Sequence, residues 1–325
     1  MSKPVTYIEA ISQGLREEMH RDEKVFCLGE DIGVYGGAFK VTRGFLEEFG
    51  RDRILDTPLA ESAILGTAVG AALNGMRPVA EMQFADFVTS GFNQIVNNAA
   101  KIHYRWGGKV PMVVRLPCGG GVHGGPFHSQ NVEAWFFRVP GLKIVAPSFP
   151  YDAKGLLKAA VRDNNPVLYM EHKFLYRRIK EVLPEDDYIV PIGKGKIRRE
   201  GEDVSVITYG STVHLALEAA EVLDKEGYSV EVIDMLSILP FDRELMLESA
   251  KKTGKVLVLH EDTLTGGVGA EFSAVITENA FEYLDAPVKR LASIDTPIPY
   301  SPALEEFFMP NTVKVLDSLR ELLAY

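Results

Sequence analysis

Apolar positions along the chain recur with two alternating periods. Short runs rich in β-branched residues read as strands: VFCLGE (25–30), RILDTP (53–58), VAEMQF (79–84), MVVRLP (112–117), KIVAPS (143–148) and VLYMEH (167–172). These runs are continuously apolar, as in strands covered on both faces. Between them the period lengthens. From Asp86 to Tyr104, residues Val88, Phe92, Ile95, Ala99 and Ile102 return at three- and four-residue steps, which predicts a helix. Glu61 to Leu73 reads as a helix with no further charge, closing at Gly75, and Tyr151 to Arg162 as another with Pro150 at its start. Strands alternating with helices predict a parallel α/β sheet.

The segment from Lys173 to Asp203 breaks this rhythm. It is dense in charge, carries Pro184 and Pro191, and has no long helical stripe. It reads as a boundary: a first domain over 1–180, a linker over 181–202 and a second domain over 203–325. The alternation then resumes with strands at 203–210, 229–235, 255–260 and 287–292 and helices at 214–226, 242–253 and 269–281. The fold class is therefore α/β, with two α/β domains.

Composition narrows the function classes. The chain has 325 residues, 35 Lys and Arg against 45 Asp and Glu, and a net charge of −10, which excludes a general polyanion binder. A hydrophobic fraction of 46% excludes disorder as the main description. The two cysteines, Cys27 and Cys118, form neither a CxxC nor a zinc spacing and suit a reducing compartment. The longest small-and-apolar stretch, 62–76, falls short of the roughly 20 residues of a membrane span. The opening MSKPVTYIEAISQGL has no basic n-region followed by an apolar one. The expected setting is the cytoplasm, with no membrane and no nucleic acid.

Candidate chemistry begins with glycine. Gly119, Gly120, Gly121, Gly124 and Gly125 follow a strand and formally contain GxGxxG. A dinucleotide fingerprint expects an acid at the end of the next strand, but that strand ends in Pro147 and Ser148. A glycine-rich active-site loop fits better. Gly266, Gly267 and Gly269 form a weaker match. Glu61 opens a helix, where the dipole alone favours a carboxylate. The sharper reading is a fixed acid projecting from a strand end into a cleft and facing a heterocyclic nitrogen. His123 and His128 flank the glycine loop. They lack a third ligand for zinc, so a catalytic or carboxylate-binding histidine is the reading with chemical content. His260 ends a buried strand and reads as structural. Phe87, just past a strand end, can line a pocket.

Six segments, LGED (28–31), DTPLAES (56–62), EMQFADF (81–87), GGGVHGGPFHSQ (119–130), PYDAKGLLKAAVRDNNPV (150–167) and KTGKVLVLHEDTLTGG (252–267), together make the chain resemble the β subunit of the 2-oxoacid dehydrogenase E1 component. The resemblance covers essentially the whole chain. EMQFADF and the FHSQ loop are closer to the branched-chain type than to the pyruvate type, and acetoin dehydrogenase β subunits are similar too. A scaffold that kept the fold and lost the chemistry is the non-enzyme alternative.

The resemblance implies a transketolase-like pyrimidine-binding domain followed by a transketolase C-terminal domain, with thiamine diphosphate as cofactor. It implies that Glu61 meets N1′ of the aminopyrimidine and favours the imino tautomer that takes the thiazolium C2 proton. Gln83 and Phe87 match pyrimidine-pocket positions. Branched-chain members carry Tyr at the place of Phe87, so the hydroxyl is lost and ring contact kept. His128 matches the active-site histidine that positions substrate and assists acyl transfer. A potassium site is implied from main-chain oxygens at Met112, Ala160 and Val161 with Asp163 and Asn165, although 163–165 reads equally well as an ordinary helix-ending turn. The family holds magnesium and diphosphate through a GDG motif with a downstream Asn, and no GDG occurs in this chain. The resemblance therefore implies an α subunit carrying Mg²⁺ and the diphosphate in an α2β2 assembly, and an acyltransferase partner, E2.

Overall fold

The structure is a computed structural model and describes residues 3–325. Contacts divide it into two units, one comprising residues up to 118 with 135–192, the other 119–134 with 193–325. One boundary of this division, between 192 and 193, falls inside 181–202. The glycine-rich segment 119–134 leaves the first unit and belongs to the second.

In the first unit, six parallel strands are β1 (Val25–Gly29), β2 (Ile54–Asp56), β3 (Arg77–Glu81), β4 (Val113–Cys118), β5 (Lys143–Val145) and β6 (Val167–His172). Their order is β2–β1–β3–β4–β6–β5. All pairings among them are parallel. β1, β4 and β6 are buried at every residue, which is why their sequences carry no polar alternation. The chain runs from β1 to β2 on one side and then returns to β3 on the other, so the strand order reverses between β1 and β3. In open parallel sheets that reversal opens a crevice at the carboxyl ends of the strands.

Helix α1 (Tyr7–Arg21) starts at a capping box in which the Thr6 side chain accepts from the Glu9 amide and Glu9 reaches back to Thr6. It packs on α3 (Pro150–Arg162), whose first residue is proline as expected. Between them α2 (Glu61–Leu73) forms at the predicted bounds. Its buried stripe is Ile64, Leu65, Ala68, Val69 and Ala72, while Ser62, Ala63 and Thr67 stay exposed.

The helix predicted over 86–104 is not continuous. It is a 3₁₀ turn at Ala85–Gly91, a π-helical turn at Gln94–Ala99 and an α-helical end at Ala100–Trp106. The first two segments pack against α2, and that packing overrides the single period suggested by the apolar spacing. β3 also lies two residues earlier than the apolar run suggested. Glu81 therefore closes the strand, and Gln83 lies beyond it.

The second unit has a five-stranded sheet. β8 (Val204–Thr208), β9 (Val230–Asp234), β10 (Val256–Thr263) and β11 (Lys289–Ser293) are parallel to their neighbours. β7 (Lys196–Arg199) adds antiparallel to β9. β7 lies in the stretch read as linker; its sequence KIRR is half-exposed edge and gives no apolar signal. Helices α4 (Thr212–Lys225), α5 (Arg243–Thr253) and α6 (Val268–Ala280) follow β8, β9 and β10. Asp242 caps α5 through the Leu245 amide. Two more helices, α7 (Pro302–Phe308) and α8 (Thr312–Leu323), end the chain.

Candidate functional site

The reversal point in the first unit brings together the residues predicted to meet the aminopyrimidine. β1 ends at Gly29 and is followed by Glu30 and Asp31. β2 ends at Asp56 and leads to Glu61 at the first position of α2. β3 ends at Glu81 and leads to Gln83 and Phe87. The Gln83 side-chain amide donates to Asp31 at 3.1 Å, bridging the ends of β1 and β3 and fixing the glutamine. Asp31 adopts a left-handed backbone (φ 57°) to present its carboxylate there. Phe87 is half-buried, with its ring edge-on to Phe84 at 5.5 Å, and Phe84 packs in turn on Phe39 at 5.4 Å.

Among the described residues, Glu30 and Glu61 have no cationic partner. Glu30 is 4% exposed, and neither of its carboxyl oxygens makes a hydrogen bond of good geometry among the described residues. Burial first, and then the charge of Glu61, raise its pKa above the usual carboxylate range. The nearby Ala60 amide offsets this only in part. The effect on Glu30 puts the two carboxyls within electrostatic range of each other. Glu61 is partly exposed, and no side chain caps the helix it opens, so the α2 amides and dipole stay available to it. Sequence reasoning quoted Glu30 within LGED and gave it no role. The signal was available, because an acid directly after a fully apolar parallel strand points at the ligand edge of the sheet.

One register inward lies the opposite arrangement. Arg115 on β4 is 1% exposed. Its Nε and Nη2 donate to the Glu171 carboxylate at 2.6 and 2.8 Å, and its Nη1 pairs with Glu81. The Tyr176 hydroxyl donates to Glu171 at 2.9 Å. Here each acid has a charged donor, and the bidentate fork fixes the geometry.

The predicted potassium residues lie far along the sheet, at the turn after α3. The Arg77 guanidinium donates to the carbonyls of Val161 and Asp163, both at 2.9 Å, and to the Asn164 side chain at 2.8 Å. The Met112 carbonyl accepts from the Val167 amide at 3.0 Å and that of Ala160 from the Asp163 amide at 3.2 Å. The Asp163 carboxylate pairs with Lys143 and accepts from the Asn165 amide at 2.8 Å.

In the second unit, the glycine loop is held by two buried carboxylates of its own unit. Glu261, on β10, accepts from the Gly120 amide at 2.7 Å, the Asn131 side chain at 2.9 Å and the Ser211 hydroxyl at 2.7 Å. Glu305, on α7 and 1% exposed, accepts from the amides of Gly121 at 3.0 Å and His123 at 3.3 Å and pairs with the His123 ring at 2.5 Å. The glycines are there for the protein's own chain. Gly125 has φ +68°, and a Cβ at that position would run into the Tyr300 ring. His128 closes the loop's 3₁₀ turn with its amide donating to Gly125 and is partly exposed.

Behind the loop, Glu133 is fully buried and accepts from the Tyr209 hydroxyl at 2.9 Å. Burial, reinforced by Asp262 and Glu261, pushes its carboxyl up. His260 is also buried, which pushes its pKa down to about 4, so the ring is neutral. A Cβ at Gly269 would approach that ring to 2.6 Å, so the second glycine motif makes room for a histidine.

Among the described residues no group of three or more His, Cys, Asp or Glu could hold a metal ion. No helix among them is long and apolar enough to cross a membrane.

Comparison with known proteins identifies the family. Residues 3–178 match the transketolase pyrimidine binding domain, and residues 193–315 match the transketolase C-terminal domain. The chain is 56% identical over 323 residues to the 2-oxoisovalerate dehydrogenase subunit beta of Bacillus subtilis (strain 168), covering 98% of each chain. It is 45% identical over 323 residues to the pyruvate dehydrogenase E1 component subunit beta of Staphylococcus aureus (strain Mu50 / ATCC 700699), covering 99% of each. A solved structure described as "Split gene transketolase, inactive beta4 tetramer" superposes with a TM-score of 0.80 at 25% identity over 99% of both chains. The crest of unpaired acids, the pinned histidine loop and the match along both domains lead to one conclusion: the chain belongs to the β subunits of 2-oxoacid dehydrogenase E1 components, enzymes of the thiamine-diphosphate-dependent transketolase-like family.

Proposed function

We propose that this chain supplies the organic-ring half of a shared thiamine diphosphate site and, with an α subunit, decarboxylates a branched-chain 2-oxo acid and acylates the lipoyl group of an E2 acyltransferase. The observation that carries the reading is the Glu30–Glu61 pair at the sheet's reversal point. Two carboxyls there, one buried without a hydrogen bond of good geometry, are suited to a protonatable heterocycle. When bound, the cofactor supplies the electron sink for loss of carbon dioxide.

The chain's own residues handle the proton and the placement. Glu61, at the first position of α2, would hold a hydrogen bond to the ring nitrogen N1′. Burial and the charge of Glu61 raise the Glu30 pKa, so its ionisation is disfavoured beside Glu61. Gln83, tied to Asp31, and Phe87, edge-on to Phe84, would line the pocket for the ring. His128 orients the substrate carboxylate and assists transfer of the acyl group. The sequence carries no GDG motif, and in this reading the α subunit holds Mg²⁺ and the diphosphate. The reading includes an α2β2 assembly and a cytoplasmic setting.

Steady-state rates of the assembled α–β enzyme with a lipoyl acceptor test the substrate. Turnover on 2-oxoisovalerate is expected to exceed that on pyruvate and acetoin. A preference for pyruvate or acetoin would reassign the substrate within the same architecture. Calorimetric titration of thiamine diphosphate and Mg²⁺ into the chain alone should give no tight binding, with binding restored by α. Tight binding to the chain alone would overturn the shared site.

A further inference from the structure

The turn after α3 holds two cations at the position where the family resemblance implies a potassium ion. Arg77, at the start of β3, reaches across to place Nη1 at 2.9 Å from both the Val161 and Asp163 carbonyls and Nη2 at 2.8 Å from the Asn164 side-chain oxygen. Its Nε lies 3.7 Å from the Asp22 carboxylate. Lys143 pairs with the Asp163 carboxylate, whose other oxygen takes the Asn165 amide. The Met112 and Ala160 carbonyls each accept a backbone amide.

A potassium ion on these oxygens would share two carbonyls with a guanidinium and one carboxylate with an ammonium, against like charge on both sides. The turn is also balanced as it stands, with Arg77 and Lys143 facing Asp22 and Asp163. Arginine suits the task because its charge is permanent and its planar fork serves several oxygens at once. We infer that Arg77 takes the place of a bound monovalent cation here, so that the turn at 160–165 is held by a side chain and the protein needs no potassium. The inference stands on the first unit alone and is independent of the proposed substrate.

Thermal unfolding of the full chain tests this in potassium, sodium and tetramethylammonium chloride at matched ionic strength. The wild-type Tm should agree across the three salts within about 1 °C. Arg77→Met should lose several degrees in tetramethylammonium, about 2–4 °C for each unit of lost interaction energy, and regain at least half of that in potassium. Arg77→Lys, which keeps the charge without the fork, should fall between them and show a weaker potassium response. A wild-type Tm raised by potassium alone would overturn the inference. So would an Arg77→Met chain lowered equally in every salt, because Arg77 would then be an ordinary ion pair. If Arg77→Met does not fold, wild-type crystals grown in rubidium chloride decide the matter: no anomalous peak at the turn is expected, and a peak between the Val161 and Asp163 carbonyls would overturn it.

Discussion

Two carboxylate pairs in the first unit are treated in opposite ways. Glu81 and Glu171 share the Arg115 guanidinium and a tyrosine hydroxyl, and every charge there is answered. Among the described residues, Glu30 and Glu61 have no cation, and Glu30 is buried with its pKa raised. Removing a charge from water costs several kcal/mol unless a partner compensates. The sheet therefore tolerates Glu81 and Glu171 because Arg115 is present, and tolerates Glu30 and Glu61 only at an edge where a ligand can meet them. A paired buried acid marks structure, and an unpaired one at a strand's carboxyl end marks a site.

That contrast can be broken most severely at Glu61. Glu61→Ala in the assembled enzyme should lower kcat by about 10²–10⁴-fold, the range for a lost acid–base group, with urea unfolding close to wild type. A mutant that instead unfolds would place Glu61 among the structural acids.

Next in size is Arg115. Arg115→Met leaves two buried acids without a partner and should cost about 3–5 kcal/mol in urea unfolding. Replacing Arg115, Glu81 and Glu171 together with apolar residues of similar volume should recover most of that loss. No recovery would mean that the triad does more than neutralise itself.

Glu305 tests the same distinction in the second unit. Glu305→Ala strips acceptors from the Gly121 and His123 amides and should cost about 1–3 kcal/mol. Amide exchange should speed up across 119–131, and kcat should fall more than KM changes. Glu305→Gln keeps an acceptor and should lose less.

The smallest effect belongs to Glu30. Its folded pKa lies above its unfolded one, so its ionisation weakens the fold. That penalty is absent below the ordinary carboxylate range and grows as pH rises through the raised folded value. Glu30→Gln should remove this pH-dependent loss, a gain of about 1 kcal/mol or less at neutral pH, measured by unfolding at several pH values. A variant less stable at neutral pH than wild type would show that the Glu30 charge is compensated after all.

Much of this fold was legible because parallel strands covered on both faces leave continuous apolar runs. β6 and α2 lie at their predicted bounds for that reason. What escaped was set by tertiary contact. The 86–104 segment changes helix type where it packs on α2, and β7 is an edge strand of basic residues with no apolar period. The terminal helices α7 and α8 went unread, and with them the Glu305 anchor of the histidine loop, because a contact spanning 184 residues leaves no local mark. At the site, Glu61 and Phe87 were readable as residues following strands, whereas Gln83 fell inside the predicted 79–84 run and was reached only through the family resemblance. The pairing of Glu30 with Glu61 and of Asp31 with Gln83 needed the strand order, which the sequence does not state. Arg77 was hidden in the same way, being 84 residues from Val161.

The most direct test of the unpaired acid is hydrogen–deuterium exchange at C2 of thiamine diphosphate, followed by quenched-flow NMR in the assembled enzyme carrying Glu61→Gln. Binding of the coenzyme should weaken by no more than about tenfold, since one hydrogen bond is altered. The exchange rate should drop by about 10²-fold or more. Exchange at the wild-type rate with the coenzyme fully bound would contradict the role given to Glu61.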